Sequence, residues 1–339
     1  MSPTAERSEP KGRRADIRSA CALDCEDAAL NRLIVTADDF GLAPEVNEAV
    51  EQAHRSGILT AASLMVAAPA AADAVRRARA MPQLRVGLHL VLLEGRPALG
   101  LEQIAQLTGT DGNLRSDMVR LAFELVASRD ARRELLSEIA SQFDLFQRTG
   151  LALDHVDAHK HFQLHPIVFG MIAAVGRQYG MRGMRVPVEP RRSGLSPSGP
   201  GGGHFLRWWG SLIRAKARAK GLLVPDAVYG LAWSGGMTEP RILSLLRSLP
   251  EGIVEIYTHP ATRDEFCGHA PGYRYTDELA ALCHPEVRSA LQLSRHLPGG
   301  YADCLPRGLV QDAIPRFPAT RSPRPEGGRG PWRSAGDRA

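Results

Sequence analysis

Short apolar runs alternate with longer amphipathic stretches between residues 31 and 305, and this alternation limits the folds open to the chain. Strands are predicted at 33–36, 63–66, 85–90, 152–157, 184–186, 227–231 and 253–258, and helices at 44–55, 70–80, 117–148 and 166–179. Parallel strands need long crossover connections, so a repeated strand–helix order predicts a parallel sheet. The predicted fold class is α/β, a TIM-barrel-like (β/α) barrel of mostly parallel strands. An open doubly wound sheet is the alternative, although no glycine-rich phosphate loop follows the first strand.

The two ends of the chain differ from this central part. Residues 1–30 lack a periodic apolar pattern, and residues 306–339 are rich in Arg, Pro and Gly. Such compositions bury too little apolar surface to offset the entropy lost on ordering, so we expect a disordered extension and a disordered basic tail. The tail holds seven arginines against three acidic residues and accounts for most of the net charge of +5. No nucleic-acid-binding face is therefore predicted for the 31–305 domain.

Several classes of protein are excluded by the sequence. No window approaches 18 uninterrupted apolar residues, which a membrane-spanning helix needs. The first 20 residues are polar and do not resemble a signal peptide, and the five cysteines are scattered and odd in number. We expect a cytoplasmic protein without a disulfide framework.

A basic amphipathic segment is predicted as an insertion in the barrel at 190–225. A stretch rich in Gly, Pro and Ser at 193–203 leads into it, and residues 204–220 contain no acidic residue. Its large apolar residues fall on one face of a helix: Phe205, Trp208, Trp209 and Leu212. The helix is predicted either to cover the barrel as a lid or to contact a membrane surface.

Residues that bind metals or move protons end four of the predicted strands. They are Asp38 and Asp39 after the first strand, His89 in the third, Asp157, His159 and His161 in the fourth, and His259 after the last. Barrel enzymes carry their active sites at the carboxyl ends of the strands. One aspartate with two histidines suits a divalent cation that keeps open positions. If the fourth strand stays extended, its three polar residues share one face.

Each of these residues has a simpler interpretation when taken alone. A single buried histidine such as His155 or His165 is usually a hydrogen-bonded core residue, and an Asp-Asp pair is often a strand-end turn. Cys21 and Cys25 are expected to be inert rather than metal ligands. The coincidence of Asp and His at four strand ends nevertheless predicts a metal site.

The sequence resembles the YdjC-like carbohydrate deacetylases, the family that includes the chitooligosaccharide deacetylase ChbG. The resemblance rests on Ala-Asp-Asp-Phe-Gly at 37–41, Gly-Leu-His at 87–89 and Asp-Ala-His at 157–159. The segments LTAASLMV at 59–66 and VGLHLVLLEGRP at 86–97 are most similar to the hopanoid-biosynthesis-associated (HpnK) branch. Lys160 departs from the family, which often has histidine at this position.

The resemblance implies a role for each matching residue. Asp39, His89 and His159 would hold the metal, Asp38 would be the general base, and His259 is a candidate general acid. In the mechanism that we expect from these roles, Asp157 and His161 would orient a ligand imidazole. Arg185 would keep Asp38 ionised, with an ordinary structural arginine as an equal alternative. One divalent ion is implied, with Zn²⁺ favoured by the ligand types and Mg²⁺ as the other candidate.

The resemblance also implies an activity. The chain would be a metal-dependent N-deacetylase that releases acetate from an N-acetylglucosamine unit, carried by a hopanoid (bacteriohopanetetrol) glycoside. The enzyme would then contact the inner membrane peripherally. Soluble chitooligosaccharides are the alternative substrate. A metal-dependent phosphoesterase or amidohydrolase, and a sugar- or lipid-binding barrel without activity, are the alternative functions.

Overall fold

The computed structural model describes residues 31–190 and 202–305, with side chains described from Arg207 onwards in the second part. The predictions for the two ends of the chain and for the Gly/Pro/Ser-rich stretch before residue 202 lie outside the described residues. Among the described residues, none forms a helix long and apolar enough to cross a bilayer.

Strands and helices alternate through the described ranges, as predicted. The strands are β1 (Arg32–Phe40), β2 (Ala61–Leu64), β3 (Arg85–Leu90), β4 (Val156–Ala158), β5 (Ala227–Tyr229), β6 (Ile253–Thr258) and β7 (Leu297–Pro298). The helices are α1 (Pro44–Ser56), α2 (Ala71–Arg79), α3 (Met118–Ala127), α4 (Arg129–Arg148), α5 (Pro166–Gln178), α6 (Gly202–Ala219), α7 (Glu239–Leu246), α8 (Tyr275–Cys283) and α9 (Pro285–Leu293). Short 3₁₀ turns lie at Leu101–Gln103, His159–Leu164 and Ala302–Cys304.

The sheet is parallel, in the order β4-β3-β2-β1-β6-β5, with β7 beside the start of β1. The extended segment 182–188 lies between the two outer strands. Met184 bridges to Val156 of β4, and the carbonyl of Val188 accepts a hydrogen bond from Val228 of β5. The strands therefore form a parallel half-barrel, and the 182–188 segment links its two outer strands through isolated backbone contacts. The predicted α/β barrel class is confirmed.

Apolar residues of the strands and helices form the core between the sheet and the surrounding helices. In α1, the residues at helical spacing Val46, Ala49, Val50 and Ala53 are all buried. Pro44 sits at the first position of this helix, where the missing N–H removes no hydrogen bond. The carboxyl end of β1 thus turns directly into a helix that packs beside it, which leaves the strand end open to the barrel mouth.

Three predicted elements differ from the structure. The long helix at 117–148 is two helices, because Ser128 is extended and its side chain caps α4 by accepting from the N–H of Ala131. The strand at 184–186 forms only isolated bridges. The fourth strand begins at Val156 rather than at residue 152, and the backbone turns sharply after Ala158.

Candidate metal centre and active-site cavity

A cavity of about 1020 Å³ opens at the carboxyl ends of the strands. Every residue proposed from the sequence to bind metal or transfer protons lines it: Asp38, Asp39, His89, His159 and His259. The strands β1, β3, β4 and β6 thus bring together residues that are up to 221 positions apart in the sequence. Convergent polar groups in one large cavity are the usual form of an enzyme site.

A β-bulge allows two adjacent aspartates to reach the same cavity. The pairing register of β1 with β2 shifts between Ala37 and Phe40, and Asp39 has a φ of +60°. In a regular strand Asp38 and Asp39 would point to opposite faces of the sheet, whereas the bulge re-aims one of them. Gly41, with a φ of +99°, completes the tight exit from the strand.

Asp39, His89 and His159 form a donor set for one cation. Oδ1 of Asp39 lies 3.4 Å from Nε2 of His89 and 3.3 Å from Nδ1 of His159. The three donor atoms all lie within 4.8 Å of one another. Asp39 Oδ1 and His89 Nε2 are buried without a hydrogen-bond partner in the described part of the chain. Buried polar atoms are rarely left unpaired, so this arrangement fits a bound divalent ion.

His89 is oriented for this task by Asp157. The Oδ1 atom of Asp157 lies 2.9 Å from Nδ1 of His89, which leaves Nε2 directed at the cation position. Burial would lower the pKa of His89, but the charge of Asp157 reverses this and raises it well above its usual value. The predicted orienting contact of Asp157 is thus present in the structure.

Arg185 is fully buried beneath the site and contacts three carboxylates. Its Nη1 and Nη2 donate to the two oxygens of Asp38 at 2.7 and 2.9 Å. Nη1 also lies 2.5 Å from Asp157, and Nη2 donates to Glu255 at 2.9 Å. Of the two sequence-based interpretations of Arg185, the structure favours the one in which it holds Asp38.

A second group of potential ligands, Asp38, His89 and Asp157, does not form a separate metal site. Arg185 already contacts both of its carboxylates, and its histidine belongs to the first donor set. One compact site remains among the described residues, which does not favour a two-metal phosphoesterase.

His161 occupies a different place from the one predicted. Lys160 and His161 both have left-handed backbone, with φ of +55° and +56°, so the prediction that Asp157, His159 and His161 share one face of an extended strand is wrong. The Nε2 of His161 lies 2.9 Å from the hydroxyl of Tyr257, so the structure gives it this hydrogen bond rather than one to a ligand imidazole. Burial and then Arg185 lower the pKa of His161 to about 4.

His259 lies half-buried against aromatic rings in the same cavity. Its ring centroid is 5.8 Å from that of Tyr257 and 5.1 Å from that of Tyr273. Its backbone N–H donates to Glu278, and its Nδ1 is buried without a partner among the residues described. The imidazole is therefore held by packing while a ring nitrogen stays available for chemistry.

Some residues of the site were missed by the sequence analysis. Glu94 pairs with Lys160, both line the cavity, and both have positive φ. Ser63 and Glu255 lie beneath the site, where they contact Asp157 and Arg185. A signal for Glu255 was present, since it is the one acidic residue in the apolar strand IVEIYT.

Helix α6 packs on the barrel through a different face from the predicted one. Trp209 donates from its indole N–H to the carbonyl of Leu164 at 2.8 Å, and Ile213 is buried. Trp208 is 61% exposed and Leu212 is 38% exposed. Trp208 and Leu212 therefore lie outside the surface that packs on the barrel, the lid and the membrane contact both stay predictions, and the side chain of Phe205 lies outside the described residues. His155, by contrast, is the hydrogen-bonded core histidine that the sequence favours.

Comparison with known proteins places the chain in a family. Residues 32–293 match the family described as YdjC-like protein. The chain belongs to this family. A carbohydrate deacetylase of Geobacillus stearothermophilus is 31% identical over 257 residues, which are 75% of this chain and 90% of the relative. One of Brevibacillus brevis is 28% identical over 260 residues, 76% and 93% of the two chains.

A crystal structure from Enterococcus faecalis V583, of a candidate cellobiose-phosphate cleavage protein, shares the fold. Its TM-score is 0.65 with 23% identity, and the match covers 81% of this chain and 98% of that one. The family resemblance predicted from the sequence is thus confirmed for this YdjC-like protein, and the shared fold supports the barrel.

Proposed function

We propose that this YdjC-like protein is a metal-dependent N-deacetylase that hydrolyses the acetamide of an N-acetylglucosamine unit and releases acetate. The observation that carries the proposal is the donor set of Asp39, His89 and His159 beside a second carboxylate, Asp38, in one cavity. The names of the curated relatives, which are carbohydrate deacetylases, support a sugar amide as the substrate.

The ion would be held by Asp39, His89 and His159. When bound, a divalent cation supplies Lewis acidity that polarises a carbonyl oxygen and makes water more acidic. Two nitrogen donors and one oxygen donor favour Zn²⁺, with Mg²⁺ as the alternative. Asp157 fixes the His89 ring, so the imidazole that would bind the ion is already oriented.

Asp38 accepts the proton of the attacking water. Both of its oxygens already accept from Arg185, and each keeps a lone pair for a further hydrogen bond. The guanidinium fixes the plane of the carboxylate that takes the proton. The water oxygen then bonds to the acetyl carbon as its proton moves to Asp38.

His259 donates a proton to the leaving nitrogen. An amide nitrogen leaves poorly as an anion, so an acid near this atom is needed before the C–N bond breaks. Asp38 and His259 line the same cavity, and a ring nitrogen of His259 has no partner among the residues at 31–190 and 202–305. The products are acetate and the free amine of the sugar.

The finer part of the proposal concerns the substrate, an N-acetylglucosamine carried by a hopanoid glycoside as in the branch that the sequence resembles. The cavity exceeds what one sugar ring needs, since pockets for drug-sized ligands span roughly 300–1000 Å³. Asp117 and Arg120 at the start of α3 line it, and Val119, Phe123 and Val126 of the same helix are 66%, 72% and 64% exposed. An apolar aglycone could lie on such a surface.

A membrane contact would complement such a substrate. The exposed Trp208 and Leu212 lie on α6, whose described side chains include no acid. Aromatic and basic residues together favour the interface of an anionic bilayer. The fraction of protein that co-sediments with anionic liposomes should be smaller for the double variant Trp208→Ala/Leu212→Ala than for the wild type. Equal fractions for the two proteins would exclude this contact.

One assay tests the proposed activity. The purified protein, loaded with Zn²⁺ or Mg²⁺, is incubated with an N-acetylglucosaminyl hopanoid and with chitobiose, and released acetate is measured. Faster release from the hopanoid supports the lipid-linked substrate, and faster release from chitobiose supports the soluble alternative. No acetate from either substrate with either metal, under conditions where the ion binds, would refute the deacetylase proposal.

A further inference from the structure

Buried polar side chains continue from the metal centre to the opposite end of the barrel. Tyr301 follows β7, which pairs with the first residues of β1, and its side chain is fully buried beside Ile34 and Ala61. Tyr301 therefore closes the amino ends of the strands while the cavity lies at their carboxyl ends. Two chains of hydrogen bonds lead from it to the site.

The first chain reaches the proposed base. The hydroxyl of Tyr301 donates to Oε2 of Glu255 at 2.6 Å. The other oxygen of Glu255 accepts from Thr36 at 2.7 Å and from Arg185 at 2.9 Å. Arg185 in turn holds Asp38, so the position of the guanidinium depends on how Glu255 is held.

The second chain reaches the proposed metal ligand. The backbone N–H of Tyr301 donates to Asp154 at 3.1 Å, and Asp154 lies 2.9 Å from Nδ1 of His155. The other ring nitrogen of His155 lies 3.0 Å from the hydroxyl of Ser63. That hydroxyl donates to Asp157 at 3.1 Å, and Asp157 orients His89 as described above.

His155 is fully buried and closely packed on two sides. The Tyr301 ring stacks on it at 4.6 Å with an interplanar angle of 17°. On another side, a Cβ atom added to Gly87 would meet the imidazole at 2.5 Å. This close approach explains the glycine of the Gly-Leu-His block, two residues before the ligand His89.

We propose that Tyr301, Glu255, Asp154, His155 and Ser63, here called the floor network, are positioning residues for the metal ligand His89 and the base Asp38. The assignment of the base rests on the proposed function, whereas the effect on the ligand does not. A ligand or base displaced by less than 1 Å loses much of its effect, so a network that fixes both groups bears directly on the chemistry.

The test compares Tyr301→Phe and Ser63→Ala with Tyr179→Phe, which removes a hydroxyl that donates to Asp144 away from the site. Zn²⁺ affinity is measured by titration of the metal-free protein, and kinetics by acetate release. We expect Ser63→Ala to weaken Zn²⁺ binding about tenfold, since partners of metal-bound histidines contribute roughly 10–100-fold. Tyr301→Phe should lower kcat about tenfold at nearly constant KM, because ground-state binding is unchanged.

Two results would overturn the proposal. The first is that Ser63→Ala binds Zn²⁺ as tightly as Tyr179→Phe does. The second is that Tyr301→Phe leaves kcat unchanged, or alters kcat and KM together. The titration needs no substrate, so it decides the ligand branch even if the protein releases no acetate and the proposed function fails. Should Tyr301→Phe not fold, the Ser63→Ala titration still decides the ligand branch of the proposal.

Discussion

Replacement of Arg185 by methionine should destabilise the protein more than other arginine substitutions outside this cluster. Arg185 is fully buried and contacts Asp38, Asp157 and Glu255 through four nitrogen–oxygen contacts of 2.5–2.9 Å. Methionine fills a similar volume and carries no charge, so the variant would keep the carboxylates in the core without their shared cation.

The expected loss follows from this geometry. Removal of one partner of a buried ion pair costs about 3–5 kcal/mol because a buried charge is left uncompensated. Since three carboxylates share Arg185, we expect a decrease of about 5 kcal/mol in the free energy of unfolding near pH 7. The exposed pair of Arg55 and Glu51 offers a control, because Arg55→Met should cost less than about 1 kcal/mol.

The loss should also depend on pH. Burial raises the pKa of Asp157, whereas Arg185 and then His89 lower it, and the net pKa lies below its usual value. A carboxyl with a lowered folded-state pKa stabilises the protein above its unfolded pKa of about 3.9, and this contribution is lost as the pH falls through the folded pKa. The difference between wild type and variant should therefore be largest near neutral pH and shrink in acid.

Urea denaturation followed by tryptophan fluorescence measures both effects. The wild type, Arg185→Met and Arg55→Met are compared at about pH 7 and about pH 3, below the unfolded pKa of the carboxyl, with chelator present so that metal binding does not contribute. A loss no larger than that of Arg55→Met, or a difference that grows as the pH falls, would refute this account of the buried charges.

The remaining predictions concern a glycine, a ligand and the base. Gly87→Ala should lower the midpoint of thermal unfolding, because the added Cβ would meet His155 at 2.5 Å. Gly170→Ala in helix α5, where an added Cβ meets nothing within 4 Å, should raise the free energy of unfolding by about 0.5–1 kcal/mol. Differential scanning calorimetry compares the two variants, and equal shifts of the midpoint would contradict this prediction. His159→Ala should abolish stoichiometric Zn²⁺ binding, as measured by elemental analysis after dialysis, and retained metal would contradict the ligand set. Asp38→Asn should retain the metal but lose about 10²–10⁴-fold in kcat for acetate release, and full activity would remove Asp38 as the base.

Much of the site was predictable because parallel strands end at one edge. Once the strand ends at Asp38, His89 and His259 are recognised, the barrel brings them together whatever connects them. The class of fold was predictable for the same reason, since strand–helix alternation is a property of the sequence itself.

Other features depend on contacts that a linear pattern does not contain. The extended conformation was predicted to continue to His161, but the chain turns at Lys160 through left-handed backbone that the residue types do not favour. Similarly, Trp208 and Trp209 were assigned to one apolar face of α6, yet Trp209 packs half-buried on the barrel while Trp208 is exposed. Tertiary packing decides both outcomes.

The non-glycine residues with positive φ in the described ranges are Asp39, Glu94, Lys160 and His161, and all four line the cavity. Left-handed backbone costs such residues roughly 1–2 kcal/mol each. Glycine would relieve that cost at every one of these positions, but it would remove the side chain that the cavity uses. Glycine variants at these four positions should therefore raise thermal resistance and lower turnover. Thermal resistance and turnover thus place opposite demands on the residues that line one cavity.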